Sequence, residues 1–206
     1  MILDTTSSMT DTPSLDLRIA ARARELRAAR GLSLDALAER SGVSRSMISL
    51  IERGESSATA VVLERLATGL GVALAALFDA PSEENGVAEG PIARRDEQPV
   101  WRDPASGYTR RNVSPAGVPQ PMQIVEVHFP PRARVSFETG ARDVRVDQQI
   151  WVLDGTIDVT LGDERHRLRQ GDCLAMRLDR PTMFHNPTRK TARYAVVIAS
   201  ETGLRR

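Results

Sequence analysis

Gly31-Leu32-Ser33-Leu34-Asp35-Ala36-Leu37-Ala38-Glu39-Arg40-Ser41-Gly42-Val43-Ser44-Arg45-Ser46-Met47-Ile48-Ser49-Leu50-Ile51-Glu52-Arg53-Gly54 reads as two short helices joined by a tight turn. Ser33 and Ser44 stand where helix caps belong, because a serine oxygen accepts from the backbone N–H groups left free at a helix start. Gly42 and Gly54 stand where helices end. In the second helix Met47, Ile48 and Ile51 are expected to point inward, leaving Ser44, Arg45, Ser46 and Ser49 on a polar side. Such a pair can lay its second helix in the DNA major groove, which favours a gene regulator over an enzyme. A solvated helix face shows the same polar pattern, so the longer context has to decide.

Upstream, about Asp16 to Arg30 reads as a helix with Leu17, Ala20, Ala21, Arg24 and Ala28 at three- and four-residue spacing. Arg18, Arg22 and Arg30 lie on its other face, and Gly31 stops it. Downstream, Thr59 to Leu70 carries Val62, Leu63, Leu66, Ala67 and Leu70, and a last turn at Leu74 to Phe78 can lay Leu77 and Phe78 over the core. The short links suit a compact five-helix module of roughly 65 residues.

A chain of 206 residues has room for one large domain or two small ones. With 41% hydrophobic and 27% charged residues it belongs with ordinary globular proteins, and a net charge of +1 does not identify a partner. Basic residues are almost all Arg, Lys190 being the single Lys; this suits phosphate and guanine but also reflects a GC-rich genome. Cys173 is the only cysteine, which rules out an intrachain disulfide; its apolar setting suggests a small buried side chain. No apolar run approaches the about 20 residues of a membrane helix, and residues 1–12 lack a signal pattern, so the cytoplasm is the expected location. Residues 1–14, rich in Ser, Thr and Asp, read as a disordered arm.

Leu32-Ser33-Leu34-x-x-Leu37-Ala38, Ser41-Gly42-Val43-Ser44, Ile48-Ser49-x-Ile51-Glu52-Arg53-Gly54 and Leu63-x-x-Leu66-Ala67-x-x-Leu70 together resemble the XRE (Cro/cI-like phage repressor) helix-turn-helix family. The resemblance implies that Ser44, Arg45, Ser46, Ser49 and Leu50 face the DNA groove, with Arg45 and Ser46 at base edges. It also places Ser33 at the interface, makes Ser44 both cap and phosphate contact, sends Arg53 to phosphate after the helix, and pairs Arg27 with Glu52 internally. Two positions depart from the pattern. Leu34 stands where a phosphate-binding glutamine commonly opens the second helix, and Ala58 replaces a proline often seen after the Glu-Arg-Gly turn.

Residues 81–97, with Pro81, Gly86, Gly90, Pro91 and several acidic residues, read as a linker between residues 15–80 and residues 98–206. Beyond it the pattern turns to strands: Met122 to Phe129, Gln148 to Leu153, Thr156 to Leu161, Asp172 to Leu178 and Ala192 to Ala199, with turns at Gly155, Gly162-Asp163 and Gly171-Asp172. Strands at this spacing suggest a sandwich or barrel. Ile150-Trp151-Val152-Leu153-Asp154-Gly155, Gly171-Asp172 and Pro181-x-x-Phe184-x-Asn186 resemble the two motifs of the cupin superfamily, a small jelly-roll barrel.

The places of the cupin metal ligands hold Ala141, Asp143, Gln148 and Thr182, a set poorly suited to a transition metal. No cofactor is therefore expected. His185, three residues after Thr182, is expected on the opposite face of its strand; His128 and His166 read as polar strand residues. Trp151 is expected to point away from Ile150 and Val152, at a barrel–barrel contact or over a local core. Arg142, Arg145, Gln148, Arg177 and Thr182 are the candidates for an effector pocket at the barrel mouth, where Arg would favour a carboxylate or phosphate; each Arg also fits a solvated outer surface.

The expected architecture is α + β in two domains: a phage-repressor-like five-helix module followed by an all-β cupin jelly-roll barrel. The expected function is that of a bacterial, sequence-specific DNA-binding transcriptional regulator. Its partners would be double-stranded operator DNA, a second copy of the chain, and a small-molecule effector in the barrel. The rival is a cupin enzyme of isomerase or dioxygenase type that carries a helix-turn-helix domain.

Overall fold

The computed structural model describes residues 15–79, 90–116, 121–138 and 145–201. Its first part holds four α-helices, α1 (Leu15–Ala29), α2 (Leu34–Ser41), α3 (Arg45–Glu52) and α4 (Ala60–Gly69). The expected fifth helix, Leu74–Phe78, is a single 3-10 segment and not an α-helix. Side-chain caps open three of the α-helices. Ser33 Oγ accepts from Ala36 N at 3.1 Å, Ser44 Oγ from Met47 N at 3.3 Å, and Thr59 Oγ1 from Val62 N at 3.3 Å.

Burial corrects two expected faces. α1 buries Ile19, Ala20, Ala23 and Leu26, so of the residues expected inside only Ala20 is fully buried; Leu17 is exposed. With Ala and Leu on several sides of α1, spacing left its phase open, and packing selected the stripe with the larger Ile19 and Leu26. In α3, Ile48 and Ile51 are buried as expected, but Met47 is exposed beside the polar residues. α4 buries Leu63, Leu66 and Ala67, with Leu70 just beyond its end. A methyl group at Gly69 would lie 2.9 Å from Cβ of Ser41, so the missing side chain is what lets α4 approach the end of α2.

The second part contains ten strands: β1 (Val100–Arg102), β2 (Thr109–Asn112), β3 (Met122–Phe129), β4 (Arg134–Phe137), β5 (Arg145–Asp154), β6 (Thr156–Leu161), β7 (Glu164–Arg169), β8 (Cys173–Arg177), β9 (Thr182–His185) and β10 (Ala192–Glu201). All pairings are antiparallel, in a six-stranded sheet ordered β1-β2-β3-β10-β5-β8 and a four-stranded sheet ordered β4-β9-β6-β7. Five of these strands lay outside the expected set. β7, Glu-Arg-His-Arg-Leu-Arg, shows why: only Leu168 is buried, so the inward phase carries almost no apolar signal. Cys173, expected inside, is exposed on the outer face of β8.

Alternation fixes the inner face of the larger sheet. Val125, Val127 and Phe129 of β3 face the same interior as Tyr194, Val196 and Ile198 of β10 and Val146, Ile150 and Val152 of β5. Gly155 turns the chain between β5 and β6 with φ of +82°; a Cβ there would come within 3.1 Å of Ala192 Cα. Asn186 is fully buried and satisfied, donating to the carbonyls of Phe129 and Lys190 and accepting from Thr188 N–H and O–H. It thereby pins the turn before β10.

Outside the four-stranded sheet, Asp158 of β6 is 1% exposed beneath Arg165 and Arg167 of β7, with His185 Nδ1 3.7 Å away. Hydrogen bonds from Arg167 first, then from Arg165, hold its carboxyl down at about 2 against the penalty of burial. A depressed carboxylate contributes stability above its unfolded pKa, and that contribution is lost as pH falls from about 4 through about 2. Because both arginines are half exposed, we expect Asp158→Asn to cost on the order of 1–2 kcal/mol at pH 7 and almost nothing near pH 2. Urea unfolding at the two pH values checks this; an equal difference at both would remove the ion cluster as its cause.

The two parts share one continuous hydrophobic core. Phe78 meets Trp101 edge-on at 5.6 Å, and ring contacts continue through Tyr108, Phe129, Tyr194 and Phe184 to Phe137. All four Phe, both Tyr and Trp101 form this chain; Trp151 alone stands outside it. Polar contacts cross the same seam. Asp103 Oδ1 accepts from Ala60 N, the first residue of α4, at 2.9 Å, and Gln123 Nε2 donates to Asp79 at 2.8 Å. Arg65 reaches Glu138 at 2.8 Å. Among the described residues no helix is long and apolar enough to cross a membrane.

Candidate functional site

α3 is held at both ends and on its inner side. Ser44 caps its start, and Ile48 and Ile51 anchor it in the core. Arg27 of α1 grips Glu52 through two parallel bonds, Nε to Oε1 and Nη2 to Oε2, both 2.7 Å, and also donates Nη1 to Leu32 O at 2.9 Å. The pairing read from the family resemblance is thus present, and it fixes the far end of α3 against α1 and the α1–α2 turn. The hydrogen bond with Glu52 raises the Arg27 pKa despite desolvation.

What this frame presents to solvent is the first turn of α3. Ser44, Arg45, Ser46 and Met47 are exposed, while Ser49 and Leu50 are half-buried one turn on. Ser44 and Ser46 hydroxyls lie 3.2 Å apart. Arg45 Nε is 3.2 Å from Asp35 in the first turn of α2, with both side chains more than half exposed. This pair costs little to open, so Arg45 can be released to another acceptor. Arg53 is differently placed. It donates Nε and Nη2 to Glu55, both at 2.8 Å, and Nη1 to Ser49 at 2.5 Å, and its hydrogen bonds draw the Glu55 pKa down. Ser33 is exposed at the start of α2, and Leu34 packs partly against the core.

The described candidates for an effector pocket do not form one site, although Gln148 and Arg177 line one open surface pocket. Arg142 lies outside the described residues, as do Ala141 and Asp143. Arg145 and Arg177 share Asp147, at 2.7 and 3.4 Å, on the outer face of the larger sheet. Thr182 is buried and donates to Arg180 O at 3.1 Å. Gln148 alone reaches the interior cavity. The reason is parity: Arg145 and Arg177 occupy odd positions of strands whose even positions face inward. His185 does lie on the face opposite Thr182, beside Asp158. His128, 3.8 Å from Glu126, and His166, 3.6 Å from Glu164, are at the surface.

The interior cavity, about 70 Å³, opens between the sheets and the helices. Tyr108, Arg110, Gln148 and Tyr194 supply polar groups, Phe129 and Phe184 apolar walls, and Glu64, Ala73, Leu74 and Ala75 of the helical part close one side. Burial pushes the Tyr108 and Tyr194 hydroxyls well above their usual pKa, so both are neutral donors at pH 7. Arg110 is 6% exposed, its guanidinium 4.7 Å from the centre of the Phe78 ring. Its role was not legible in the sequence, where it is one Arg among many in a short strand. Among the described residues, no group of three or more His, Cys, Asp or Glu is placed to hold a metal ion.

A family model described as helix-turn-helix, HTH_3, matches residues 24–77. The HTH-type transcriptional regulator SutR of Escherichia coli is 27% identical over 181 residues, spanning 85% of this chain and 90% of that protein. The crystal structure of an HTH_3 family transcriptional regulator from Vibrio cholerae covers 90% of this chain and 96% of its own at 27% identity and a TM-score of 0.69. The Cupin_2 domain of an XRE family regulator from Enterobacter cloacae covers 45% of this chain and 95% of its own, at 13% identity and a TM-score of 0.40. Residues 24–77 thus match the helix-turn-helix model HTH_3, and the chain is similar to helix-turn-helix transcriptional regulators over most of its length.

Proposed function

We propose that this chain is a bacterial, sequence-specific DNA-binding transcriptional regulator in which α3 enters the major groove of operator DNA. The observation that carries this reading is the exposed turn Ser44-Arg45-Ser46, held by the Ser44 cap at one end and the Arg27–Glu52 pair at the other. Arg45 and Ser46 meet base edges, Ser33 and Ser44 meet phosphate, and Ser49 and Leu50 line the groove. Arg53 reaches phosphate after exchanging Glu55 for it. Residues 15–80 act as the DNA-binding domain, 81–97 as linker and 98–206 as a jelly-roll cupin domain; residues 1–14 and 81–89 lie outside the described structure. The location is the cytoplasm, where operator DNA is found.

Selection of binding sites from random duplex DNA, followed by titration at several salt concentrations, tests the reading. The expected result is a palindromic preference with half-sites about one helical turn apart. Binding that is only salt-sensitive and shows no sequence preference would overturn it.

Two half-sites require two copies of the chain. The outer face of the larger sheet supports this pairing. Trp151 is 51% exposed there, and its neighbours across strands are Ala195 and Cys173; Met122, Ile124, Val197, Ala199 and Ala175 extend the same face. An apolar stripe of this kind on a solvated sheet marks an association surface. We expect light scattering to give a dimer for the native chain and a monomer for Trp151→Glu, with the far-UV spectrum unchanged. A monomeric native chain would sink this part of the proposal.

Among the described residues the rival reading, a cupin enzyme, is disfavoured, because Gln148 is a poor metal ligand and Thr182 is turned to a backbone carbonyl. We assign the cavity a sensing role and no catalytic residue.

A further inference from the structure

The cavity between the helices and the sheets is lined by Arg110, whose guanidinium is within the electrostatic reach of Asp79 yet keeps unpaired donors. Among the described residues, Nε and Nη2 of Arg110 are buried and have no hydrogen-bond partner. Burying donors of a charged group unsatisfied is expensive, and native structures rarely keep such a group without a use. Nε–H and Nη2–H lie along one edge of the guanidinium and point in parallel, a fork that matches the two oxygens of a carboxylate.

Among the described residues this chain uses that same edge three times elsewhere, Arg167 binding Asp158 through Nε at 2.8 Å and Nη2 at 3.1 Å. Arg27 binds Glu52 through Nε and Nη2 at 2.7 Å each, and Arg53 binds Glu55 through Nε and Nη2 at 2.8 Å each. Arg110 is one of the residues that line a cavity of about 70 Å³, several times the about 10–15 Å³ that one water requires. Tyr108 and Tyr194, kept neutral by burial, line it too, and the remaining wall is mostly apolar.

We propose that this cavity binds a small organic monocarboxylate, its carboxylate on the Nε–Nη2 edge of Arg110 and its short apolar body among Phe129, Phe184, Val127 and Ile198. The assignment deepens the sensing role given above and rests on that reading for its regulatory meaning. Glu64, the carboxylate in the same wall, has an interaction of its own, and the Arg110 guanidinium with the neutral tyrosines then matches one negative charge. The apolar wall requires a carbon body, which inorganic phosphate lacks.

The position of the cavity gives the bound acid a route to the DNA-binding helices. Ala73, Leu74 and Ala75 form part of its wall, Phe78 covers the Arg110 guanidinium, and the β1–β2 connection that carries Tyr108 also supplies Asp103 to the first N–H of α4. Occupancy therefore bears on α4 and on the segment that closes the helical core.

The test uses the full chain, titrated at constant ionic strength with sodium butyrate, with butyramide of nearly the same shape, and with inorganic phosphate. Butyrate is expected to bind in calorimetry and to raise the unfolding temperature, with butyramide and phosphate each at least about tenfold weaker. Arg110→Met, checked for native circular dichroism, is expected to lose butyrate by at least about tenfold, and Tyr194→Phe by a smaller factor. Should Arg110→Met fail to fold, the acid–amide contrast on the native chain and Tyr194→Phe decide the matter. Equal binding of butyramide, tighter binding of phosphate, unaltered binding by folded Arg110→Met, or no binding of butyrate would each overturn the site. Operator titrations run beside these separate the two claims. Sequence-specific DNA binding without butyrate binding defeats only the site, whereas butyrate binding without sequence preference defeats the regulator.

Discussion

Arg45→Ala is expected to abolish tight operator binding while leaving the fold intact. A bidentate Arg–guanine contact contributes about 1–3 kcal/mol of discrimination, and a dimer makes it once in each half-site, so the loss is roughly 2–6 kcal/mol. The cost to folding is small, because the pair that Arg45 makes with Asp35 is exposed and such pairs contribute at most about 1 kcal/mol. Fluorescence anisotropy with the selected operator, and with duplexes altered one base pair at a time, measures the effect. The variant should lose preference at one symmetric pair of positions and keep its background affinity. A uniform loss across all sequences, with a shallower salt dependence, would make Arg45 a phosphate contact instead.

Glu52→Ala is expected to destabilise the helical module by roughly 2–4 kcal/mol. Glu52 is 7% exposed and Arg27 18%, so removing the carboxylate leaves a largely buried guanidinium with the Leu32 carbonyl as its acceptor. Partial solvent access keeps the cost below that of breaking a fully buried pair. Urea unfolding followed by circular dichroism gives the number. The double change Arg27→Met/Glu52→Met should recover part of it, since an apolar pair of similar volume leaves no charge behind. A loss below about 0.5 kcal/mol would place the pair with ordinary surface salt bridges. Beyond stability, the single change should blur operator preference, because the same bonds set the angle at which α3 leaves the core.

The helix-turn-helix was legible because its determinants are local. Ser33, Ser44 and Thr59 cap helices within their own turns, and Gly42 ends α2 in the left-handed conformation that sequence alone suggests. The face of α1 was not legible, since Ala and Leu occur around the helix and the packing of Ile19 and Leu26 against the other helices decided its rotation. In the β part, β3 and β6 have the bounds that the sequence pattern suggests. By contrast β2 and β7 are charged strands whose existence depends on a neighbour: β2 on β3, β7 on β6. A strand of this kind has no signature of its own.

The effector candidates show the same limit. Arg142, Arg145 and Arg177 carry charge near a cupin-like motif, yet side-chain direction in a sheet reverses at each residue. Arg145 and Arg177 fall on the outer phase. Arg110, in a strand that the sequence does not announce, falls on the inner one.

The sequence by itself determined the cap-and-glycine frame of α2 and α3, the exposure of Ser44, Arg45 and Ser46, and the pairing of Arg27 with Glu52. Each follows from contacts over one or two helical turns, or from a motif that specifies them. Only the tertiary structure decided that the two parts share a core, that seven of eight aromatic side chains run through it, and that Arg110, with Nε and Nη2 unpaired, lines a cavity between them. Those features depend on strand parity and on which surfaces meet across a long sequence separation, and no local spacing encodes either.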